Sequence, residues 1–288
     1  MLLNGLPAAD KILSQLKKEI SETSSRPGLA VILIGNDPAS EVYVKTKIKK
    51  AETLGITSKA YYLPSDSTLS SVLKVIESLN EDPSIHGILV QLPLPKHLSS
   101  ETITQAISPE KDVDGLHPVN MGKLLLGSRD GFIPCTPRGI IELLDFYEIP
   151  ISGKHVAILG RSNIVGKPLA ALMMQKNLRT NATTTILHSQ SQNIPEILKS
   201  ADIIVAAIGS PLFIKDTMIS SYAVIIDVGT TRVPANNLRG YNLVGDVDFN
   251  NVVTKSAAIT PVPGGVGPMT IAMLMRNTWE SYQKFSSL

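Results

Sequence analysis

A tyrosine and a lysine near the beginning of the chain could carry acid–base chemistry. Tyr43 and Lys47 are four residues apart on a predicted helix, so their side chains share one face. The helix follows a strand, and its early residues therefore border the crevice where parallel sheets bind ligands. A lysine becomes a general acid or base when burial lowers its pKa from about 10.4 towards neutrality, a change of about 4 kcal/mol. The alternative is a surface lysine whose stem covers the tyrosine ring.

A glutamine and two aspartates later in the chain could complete such a site. Gln91 comes directly after residues 87–90, a predicted strand, and can accept a hydrogen bond from an ammonium or orient a water. Asp112 and Asp114 stand at alternate positions before Gly115 and could hold a ring that bears N–H donors. The alternatives are a glutamine that caps local backbone and an Asx-turn before the glycine.

A glycine-containing loop after residues 155–159 indicates a phosphate site. The strand–loop–helix order presents backbone N–H groups and a helix N-terminus to an anion. The loop lacks the P-loop spacing, because five residues separate Gly160 from Gly166. Ser162 also replaces the second glycine of the standard dinucleotide pattern. Both a dinucleotide site and a plain strand-to-helix turn fit these residues.

The end of the next predicted strand indicates which dinucleotide would bind. An NAD site usually has an acidic residue there for the ribose hydroxyls, and this chain has His188-Ser189-Gln190 instead. Ser189 and Arg161 could take a ribose 2′-phosphate, which favours NADP over NAD. The alternative is a strand end that lacks an acid for no functional reason.

Composition and spacing argue against metal and disulfide chemistry. The single cysteine, Cys135, rules out an internal disulfide and a cysteine zinc site. No two of the five histidines have the spacing of a zinc-binding helix. The Asp-x-Asp-Gly stretch lacks the terminal glutamate of a calcium loop. We expect no metal.

Alternating strands and helices must position these residues. Predicted strands at residues 28–34, 59–63 and 86–92 alternate with helices, which is typical of a parallel sheet with helices on both faces. Residues 109–137 are rich in Gly, Pro and Asp and are predicted to be an irregular connection. A new helix is predicted to start at Thr136-Pro137, with the threonine as cap and the proline in the first position.

A second series of strands follows, and the chain ends in a helix. The strands are predicted at residues 155–159, 183–188, 202–206 and 223–227. A glycine-rich loop at residues 261–268 then leads into the last helix and is either a tight turn or the wall of a ligand cleft. The helix is apolar on one face, so we expect it to return and pack on the first domain.

Length and composition bound the class of protein. The 288 residues predict about two domains, and 43% hydrophobic with 18% charged residues is typical of a soluble globular protein. A net charge of +2 favours neither nucleic acid nor an anionic membrane as a partner. The chain has no signal pattern and no apolar run long enough to span a membrane, so we expect a cytoplasmic protein.

Six stretches, taken together and in order, resemble one enzyme family, and the resemblance covers almost the whole chain. The family is the bifunctional methylenetetrahydrofolate dehydrogenase/methenyltetrahydrofolate cyclohydrolase. The stretches are Ser40-x-x-Tyr43-Val44-x-x-Lys47, Gln91-Leu92-Pro93-Leu94-Pro95, Lys111-Asp112-Val113-Asp114-Gly115, Pro134-Cys135-Thr136-Pro137, Gly160-Arg161-Ser162 and residues 261–270.

The resemblance implies a fold and an activity. The fold is α/β with two α/β domains: an N-terminal parallel-sheet catalytic domain that binds folate, and a C-terminal Rossmann-like domain that binds NADP. The first comprises residues 1–138 plus 268–288, with the C-terminal helix returning to it, and the second comprises residues 139–267. The implied activity is oxidation of methylenetetrahydrofolate with NADP, then hydrolysis to 10-formyltetrahydrofolate, in one-carbon metabolism. A homodimer is also implied.

The resemblance also assigns roles to individual residues. Lys47 is the catalytic lysine, and Gln91 tunes that lysine and the water. Asp114 holds the pterin ring, and Tyr43 packs against the aminobenzoyl ring of the folate. The implied folate contacts further include Val90, Leu92, Pro263, Gly264, Gly265, Val266, Gly267 and Pro268. The implied NADP contacts are Gly160, Arg161, Ser162, Ser189 and Thr230.

The chain departs from the family pattern in two places, and other hypotheses remain. Thr230-Thr231 stands where the family has Ile or Val followed by Asn, and residues 175–182 form a longer segment that could displace Ser189. One rival is another two-domain NADP-dependent oxidoreductase, such as a relative of shikimate dehydrogenase. The others are a non-catalytic folate- or dinucleotide-binding protein and a relative that retains one of the two activities.

Overall fold

The computed structural model of this chain describes residues 1–237 and 240–286 and divides the chain into two compact units. Residues 238–239, in the predicted second domain, and residues 287–288, at the end of the predicted first domain, lie outside the described residues. Within the part that is described, we find no helix that is both long and apolar enough to cross a membrane.

Each unit contains one parallel sheet whose strands are joined through helices. The three-stranded unit comprises Lys11–Cys135 and Ile271–Leu288. The five-stranded unit comprises Met1–Asp10 and Thr136–Thr270. The predicted α/β class with two parallel-sheet domains is confirmed.

The three-stranded unit has its sheet in the order β2-β1-β3. β1 is buried along its whole length, which explains its nearly continuous apolar sequence. Because β2 and β3 lie on opposite sides of β1, the chain reverses direction across the sheet, and a crevice opens between the carboxyl ends of β1 and β3. The elements in chain order are α1 Gly5–Ser21, β1 Gly28–Ile34, α2 Pro38–Leu54, β2 Thr57–Leu63, α3 Leu69–Glu81, β3 Gly87–Val90, α4 Ser100–Ala106 and α5 Pro118–Leu126.

The five-stranded unit has its sheet in the order β10-β7-β6-β4-β5, with every pair parallel. The corresponding switch point lies between β4 and β6. A separate antiparallel hairpin, β8–β9, was not predicted from the sequence. The remaining elements of the chain are α6 Cys135–Phe146, β4 His155–Leu159, α7 Gly166–Met173, β5 Thr183–Leu187, α8 Ile194–Ser200, β6 Ile203–Ala206, β7 Val224–Asp227, β8 Thr231–Pro234, β9 Tyr241–Val244, α9 Phe249–Val252, β10 Ala258–Ile259 and α10 Val266–Ser286. Of α10, only residues 266–270 belong to the five-stranded unit.

The prediction of an irregular connection at residues 109–137 was wrong, because α5 lies within it. His117 caps α5 by accepting the N–H of Val119, and Gly127 ends it in a left-handed conformation. The predicted start of the next helix was also late. α6 begins at Cys135, so Thr136 does not cap it and instead shares a hydrogen bond with the hydroxyl of Thr270.

The first ten residues belong to the five-stranded unit, whereas the predicted boundaries placed them in the folate-binding domain. Leu2 forms a parallel bridge with Ile259, and the N–H of Leu3 donates to the carbonyl of Ile259. The N–H of Gly5 donates to the carbonyl of Gly264. These backbone hydrogen bonds to β10 and the following turn place the segment in the five-stranded unit, although β1 is nearer to it in sequence.

The C-terminal helix packs on the three-stranded unit, as predicted. Asn277 is fully buried, and its amide donates to the carbonyls of Val113 and Ile133. Further along the helix, the hydroxyls of Tyr282 and Ser25 are hydrogen-bonded. Buried carbonyls need such donors, so the helix also fixes the backbone on both sides of the candidate site described below.

We predict that Lys111→Met lowers the free energy of unfolding by about 2–4 kcal/mol. Lys111 is 4% exposed, and its ammonium donates to the carbonyls of Leu79, Asn80 and Asp82 at the end of α3. Methionine keeps the length of the side chain and leaves those carbonyls without this donor. The measurement is urea denaturation followed by circular dichroism.

The matched control is Lys74→Met, an exposed position on α3, for which we expect a change within about 0.5 kcal/mol. Equal denaturation midpoints for the two variants would contradict the role of Lys111.

Candidate active site

The ammonium of Lys47 is hydrogen-bonded to the side-chain amide of Gln91. The Lys47 Nζ lies 2.9 Å from Gln91 Oε1. Lys47 is on α2, which follows β1, and Gln91 follows β3, the neighbour of β1. Gln91 Nε2 donates to the carbonyl of Leu92 at 2.6 Å, which directs Oε1 towards the lysine. The structure therefore brings together two residues that the sequence indicated separately, at the switch point of the sheet.

Local sequence explains why Lys47 reaches this place. Asp37 caps α2 by accepting the N–H of Ser40, and Pro38 occupies the first turn. Gly55 ends the helix in a left-handed conformation. Cap and proline fix the start of the helix just beyond β1, so Lys47 lies in its third turn on the side that faces β3.

Asp114 supplies the negative charge of the site. Asp112 forms a parallel bridge with Ile88, so the segment that contains both aspartates runs beside β3. Two residues further along each strand, Asp114 comes level with Val90 at the carboxyl end of β3. The electrostatic coupling between Asp114 and Lys47 acts on both groups.

Burial and mutual attraction act in opposite directions on this pair. Burial lowers the pKa of the Lys47 ammonium, while the charges of Asp114 and Cys135 oppose that change. Burial raises the pKa of the Asp114 carboxyl, opposed by the charge of Lys47 and by a hydrogen bond from Cys135. Burial thus favours the neutral form of each group and their attraction favours the charged form. A proton can consequently leave Lys47 more easily than it leaves a solvated lysine.

Cys135 belongs to the site, and the sequence analysis did not assign it a role. It is 2% exposed, and its thiol contacts Asp114 and lies 3.3 Å from the carbonyl of Val113. The Asn277 amide nitrogen lies 3.6 Å from the same sulfur. The stretch Pro134-Cys135-Thr136-Pro137 was part of the family resemblance, and that was the only sequence signal for this position.

Asp112 has a structural role, which separates it from Asp114. Its carboxylate accepts the N–H groups of Leu116 and His117 and the side-chain amide of Asn120. It is 1% exposed, so it organises the turn that leads into α5. Of the two alternatives for this pair of aspartates, the turn describes Asp112 and leaves Asp114 as the candidate ligand group.

A small, mostly apolar cavity lies beside Asp114. Val90 and Leu92 line it together with Asp114, and α4 supplies its opposite wall through Ile103. The carboxylates of Asp112 and Asp114 both border this cavity, whose volume of about 10 Å³ admits a group no larger than a water. Tyr43 lies one turn before Lys47 on α2 and is 47% exposed, so its ring is available to a ligand.

These side chains form an acid–base site without metal ligands. Nowhere in residues 1–237 and 240–286 do three His, Cys, Asp or Glu side chains come together in a way that could hold a metal ion. A lysine with a lowered pKa can exchange a proton near neutral pH, and an amide beside it can orient a water. The arrangement suits addition of water to an electrophilic carbon.

The glycine loop of the five-stranded unit is shaped by close backbone contacts. Gly160 follows β4 with φ +124°, and a Cβ there would overlap the carbonyl oxygen of Ala207 after β6. A Cβ at Gly166 would overlap the carbonyl oxygen of Gly160. Arg161 and Ser162 are exposed at this edge, directly before the first turn of α7. Both glycines are therefore required by contacts with the chain's own backbone, and these contacts fit a phosphate cradle and a plain turn alike.

Ser189 and Thr230 lie at the same edge of the five-stranded sheet. Leu187 pairs with Leu159, so Ser189 follows β5 beside the glycine loop. Thr230 follows β7 and is exposed, and Thr231 begins the hairpin β8–β9. The departure from the family pattern, Thr230-Thr231, therefore lies at the junction between the loop after β7 and the hairpin β8–β9.

The longer segment at residues 175–182 is tied to α6. Arg179 forms ion pairs with Glu142 at 3.0 Å and Asp145 at 3.4 Å. The hydroxyl of Thr180 donates to the carbonyl of Gln175. β5 keeps its full register with β4 beyond this segment.

The predicted loop at residues 261–268 is shorter than expected, because α10 already begins at Val266. Pro263 and Gly264 form the turn, with Gly264 at φ +106°, and the N–H of Gly265 donates to the carbonyl of Pro261. Gly267 and Pro268 lie in the first turn of the helix, where a proline removes no intrahelical hydrogen bond.

Comparison with known proteins agrees with both halves of this description. The family model described as tetrahydrofolate dehydrogenase/cyclohydrolase, catalytic domain, matches residues 3–114. The model described as tetrahydrofolate dehydrogenase/cyclohydrolase, NAD(P)-binding domain, matches residues 134–286. The chain belongs to the tetrahydrofolate dehydrogenase/cyclohydrolase family. The predicted family and the predicted order of its two domains are confirmed.

Similar proteins match this family member along their whole length. The bifunctional protein FolD of Chlamydia pneumoniae is 76% identical over 286 residues, covering 99% of this chain and 100% of that protein. The crystal structure of the Campylobacter jejuni bifunctional enzyme FolD superposes with a TM-score of 0.92 at 44% identity, covering 99% of each chain. The Trypanosoma brucei enzyme, complexed with NADP cofactor and inhibitor, gives a TM-score of 0.94 at 37% identity, covering 100% of this chain and 99% of that one.

We predict that Asp114→Asn lowers the pKa of Lys47 further, because the variant loses the carboxylate charge that stabilises the ammonium while burial remains. The measurement is an NMR titration of lysines labelled at the ε-carbon, with Lys47 assigned by its loss in Lys47→Met. The control is Glu41→Gln, which removes a carboxylate paired with the exposed Lys45 on the same helix. A higher pKa of Lys47 in Asp114→Asn would contradict the electrostatic account.

Proposed function

We propose that this chain oxidises methylenetetrahydrofolate to methenyltetrahydrofolate with NADP and then hydrolyses the product to 10-formyltetrahydrofolate. The observation that carries the proposal is the contact of Lys47 with Gln91 beside Asp114, in a chain of the tetrahydrofolate dehydrogenase/cyclohydrolase family. A non-catalytic binding protein would not need this acid–base set. Another NADP-dependent oxidoreductase is not favoured, because the family models cover both units.

The glycine loop fits a dinucleotide. Gly160 and Gly166 pack directly against the chain's own backbone, so the loop after β4 stays close to the N-terminus of α7, which can face an anion. We assign Arg161, Ser162 and Ser189 to the phosphates of NADP, with Thr230 on the side of β7. No acidic residue follows β5, which favours NADP over NAD. When bound, NADP supplies the nicotinamide that accepts a hydride from the methylene bridge of the folate.

The chain's own residues contribute orientation to the oxidation step. Asp114 accepts N–H donors of the pterin ring, and Tyr43 packs against the aminobenzoyl ring. Val90 and Leu92 line the adjoining pocket. We also assign Pro263, Gly264, Gly265, Val266, Gly267 and Pro268 to the folate wall, as the family resemblance implies. No protein nucleophile is required, since positioning of the reacting carbon accounts for this step.

Hydrolysis depends on Lys47. A water adds to the cationic methenyl carbon, the bond from that carbon to one ring nitrogen breaks, and a proton is delivered to the nitrogen. Lys47 takes one of the two protons of the water and passes it to the leaving nitrogen, and the second proton is released to solvent as the formyl C=O forms. Gln91 orients both the lysine and the water. Acid–base catalysis of this kind typically gives about a hundredfold to ten-thousandfold in rate.

We further propose that the protein acts in the cytoplasm, in one-carbon metabolism, as a homodimer formed through the five-stranded unit. The family resemblance supports these assignments. Analytical ultracentrifugation of the purified chain tests the dimer, and sedimentation as a monomer at micromolar concentration would exclude it.

We predict that Lys47→Met reduces hydrolysis of added methenyltetrahydrofolate by about a hundredfold or more, because methionine keeps the stem and removes the proton carrier. Hydrolysis is followed by the loss of methenyl absorbance, and NADP binding by calorimetry serves as the test of folding. The matched control is Lys45→Met, an exposed lysine on the same helix, which we expect to hydrolyse at the wild-type rate. Hydrolysis by folded Lys47→Met at the wild-type rate would refute the assignment.

A coupled assay distinguishes a bifunctional enzyme from a relative with one activity. Methylenetetrahydrofolate and NADP are supplied together, and NADPH and the methenyl intermediate are followed. NADPH without accumulation of the intermediate is expected. Accumulation would mean that hydrolysis is lost, and no NADPH would mean that the dehydrogenase is absent.

A further inference from the structure

Two buried aspartates join the loops at the carboxyl edge of the five-stranded sheet. Asp227 is the last residue of β7 and is 3% exposed. Asp246 follows the hairpin β8–β9 and is 0% exposed. No step of the proposed reaction uses either carboxylate.

Asp246 holds the loop that follows β6. Its Oδ2 accepts the N–H of Ile208 at 2.7 Å and the N–H of Gly209 at 3.0 Å. The preceding residue, Ala207, donates its N–H to the carbonyl of Leu159 at the end of β4. Asp246 therefore sets the path of the backbone on the side of the glycine loop that faces β6.

Asp227 holds the loop that follows β7 and the backbone of its partner. Its Oδ1 accepts the N–H of Gly229 at 3.0 Å and the N–H of Asp246 at 2.9 Å. Its Oδ2 accepts the N–H of Val247 at 3.0 Å. Thr230, assigned to the cofactor, directly follows Gly229, so its position depends on this carboxylate.

Two glycines make room for the carboxylates. A Cβ at Gly245 would overlap the carboxylate of Asp227, and a Cβ at Gly229 would collide with the carboxylate of Asp246. The two aspartates and the two glycines are therefore one packed arrangement. It joins three segments of backbone that are distant in sequence.

This arrangement is unfavourable for stability alone. Burial raises the pKa of Asp227 to about 6, the N–H groups that it accepts oppose the change, and the charge of Asp246 adds to it. The Oδ1 atom of Asp246 is buried and has no hydrogen-bond partner among the described residues. Burial of two carboxylates costs free energy of folding that burial of apolar residues would not. Such unfavourable arrangements are expected where function requires them.

Strand order indicates which part of the cofactor these loops receive. Ser189, after β5, is assigned to the ribose phosphate, and the glycine loop after β4 is assigned to the pyrophosphate. β6 and β7 lie on the other side of β4, so the loops after them border the remaining half of a dinucleotide laid across the sheet. That half carries the nicotinamide.

We propose that Asp227 and Asp246 are positioning residues for the cofactor, which hold residues 207–210 and 228–231 in the shape that receives the nicotinamide half of NADP. The proposal rests on the proposed function. Its ligand is the dinucleotide, and neither carboxylate takes part in the chemical step.

The first test is Asp246→Asn, which keeps the size of the side chain and removes its charge. We expect the Kd and KM for NADP to rise by about tenfold, as is typical when hydrogen bonds to a charged acceptor are weakened. The KM for methylenetetrahydrofolate is expected to stay within about twofold. A merely structural role would lower the melting temperature and leave the Kd of the folded protein unchanged, and that result would overturn the proposal.

The matched control is Asp248→Asn. Asp248 lies in the same segment, and its carboxylate contacts Lys215 and Asn251 instead of the two loops. We expect its Kd for NADP to remain within about twofold of the wild-type value. A loss equal to that of Asp246→Asn would overturn the proposal, because it would show that any charge removed from this segment has the same effect.

The second test uses the wild-type chain and so does not depend on the folding of a variant. Asp227 is ionised above its pKa of about 6, and its protonated form accepts N–H groups less well. The charged side chain that faces Asp227 is Asp246. We expect the Kd for NAD to rise several-fold as the pH falls from about 8 to about 5. NAD is the probe because the phosphate of NADP titrates near pH 6. A flat profile would overturn the proposal.

The two proposals fail separately. Binding is measured by calorimetry without folate, so a chain that binds dinucleotide with the expected dependence and oxidises no folate would refute the proposed function alone. If the Asp246→Asn variant oxidises methylenetetrahydrofolate normally and its KM for NADP is unchanged, the positioning role alone is refuted.

Discussion

The central constraint in this protein is that one ammonium must be held partly out of water without being fixed in its charged state. Lys47 meets a neutral acceptor, Gln91, and a carboxylate whose own charge is opposed by burial. A fully solvated lysine would hold its proton too tightly to catalyse hydrolysis at neutral pH. A buried lysine without acceptors would be too costly for a stable fold. The surroundings of Lys47 lie between these two limits.

The three-stranded unit can be understood as the support for that balance. Parallel strands bring the start of α2 and the end of β3 to one edge, so the lysine and the glutamine meet without a long connection. Asp114 arrives on a third segment, which runs beside β3 and is anchored by Asp112. Asn277 on the last helix fixes that segment from behind. In the five-stranded unit, the buried carboxylates of Asp227 and Asp246 similarly hold the loops that neighbour the glycine loop.

Much of this architecture could be predicted from sequence where the signal is local. The wholly apolar run of β1 predicted the bounds of that strand correctly, and the cap, proline and glycine of α2 explain where that helix begins and ends. The helix α5 was missed because several of its apolar residues are exposed, Leu126 at 83%, while its buried residues are the polar Asn120 and a single leucine, Leu124. Its apolar residues therefore do not mark its buried face. The hairpin β8–β9 was missed because its four-residue strands are partly exposed, whereas the equally short β6 and β7 are buried and carry continuous apolar runs.

The residues of the candidate site also divide into those that local sequence predicts and those that only the folded chain reveals. Lys47, Gln91 and Asp114 could be named from motifs, but their mutual contact depends on which strands are neighbours. Cys135 and the pair of buried aspartates come from segments that are distant in sequence, so no spacing rule finds them. Their roles follow from burial and hydrogen bonds that only the folded chain shows.

The most direct test of this account compares two pH titrations of the wild-type protein. One is the NMR titration of Lys47 in the free enzyme, and the other is the pH profile of kcat/KM for hydrolysis of methenyltetrahydrofolate, which reports the acid–base groups of the free enzyme. The account predicts that the two give the same pKa and that it lies below the ordinary value for lysine. A hydrolysis profile that does not follow the titration of Lys47, or a Lys47 that titrates like a solvated lysine, would contradict it.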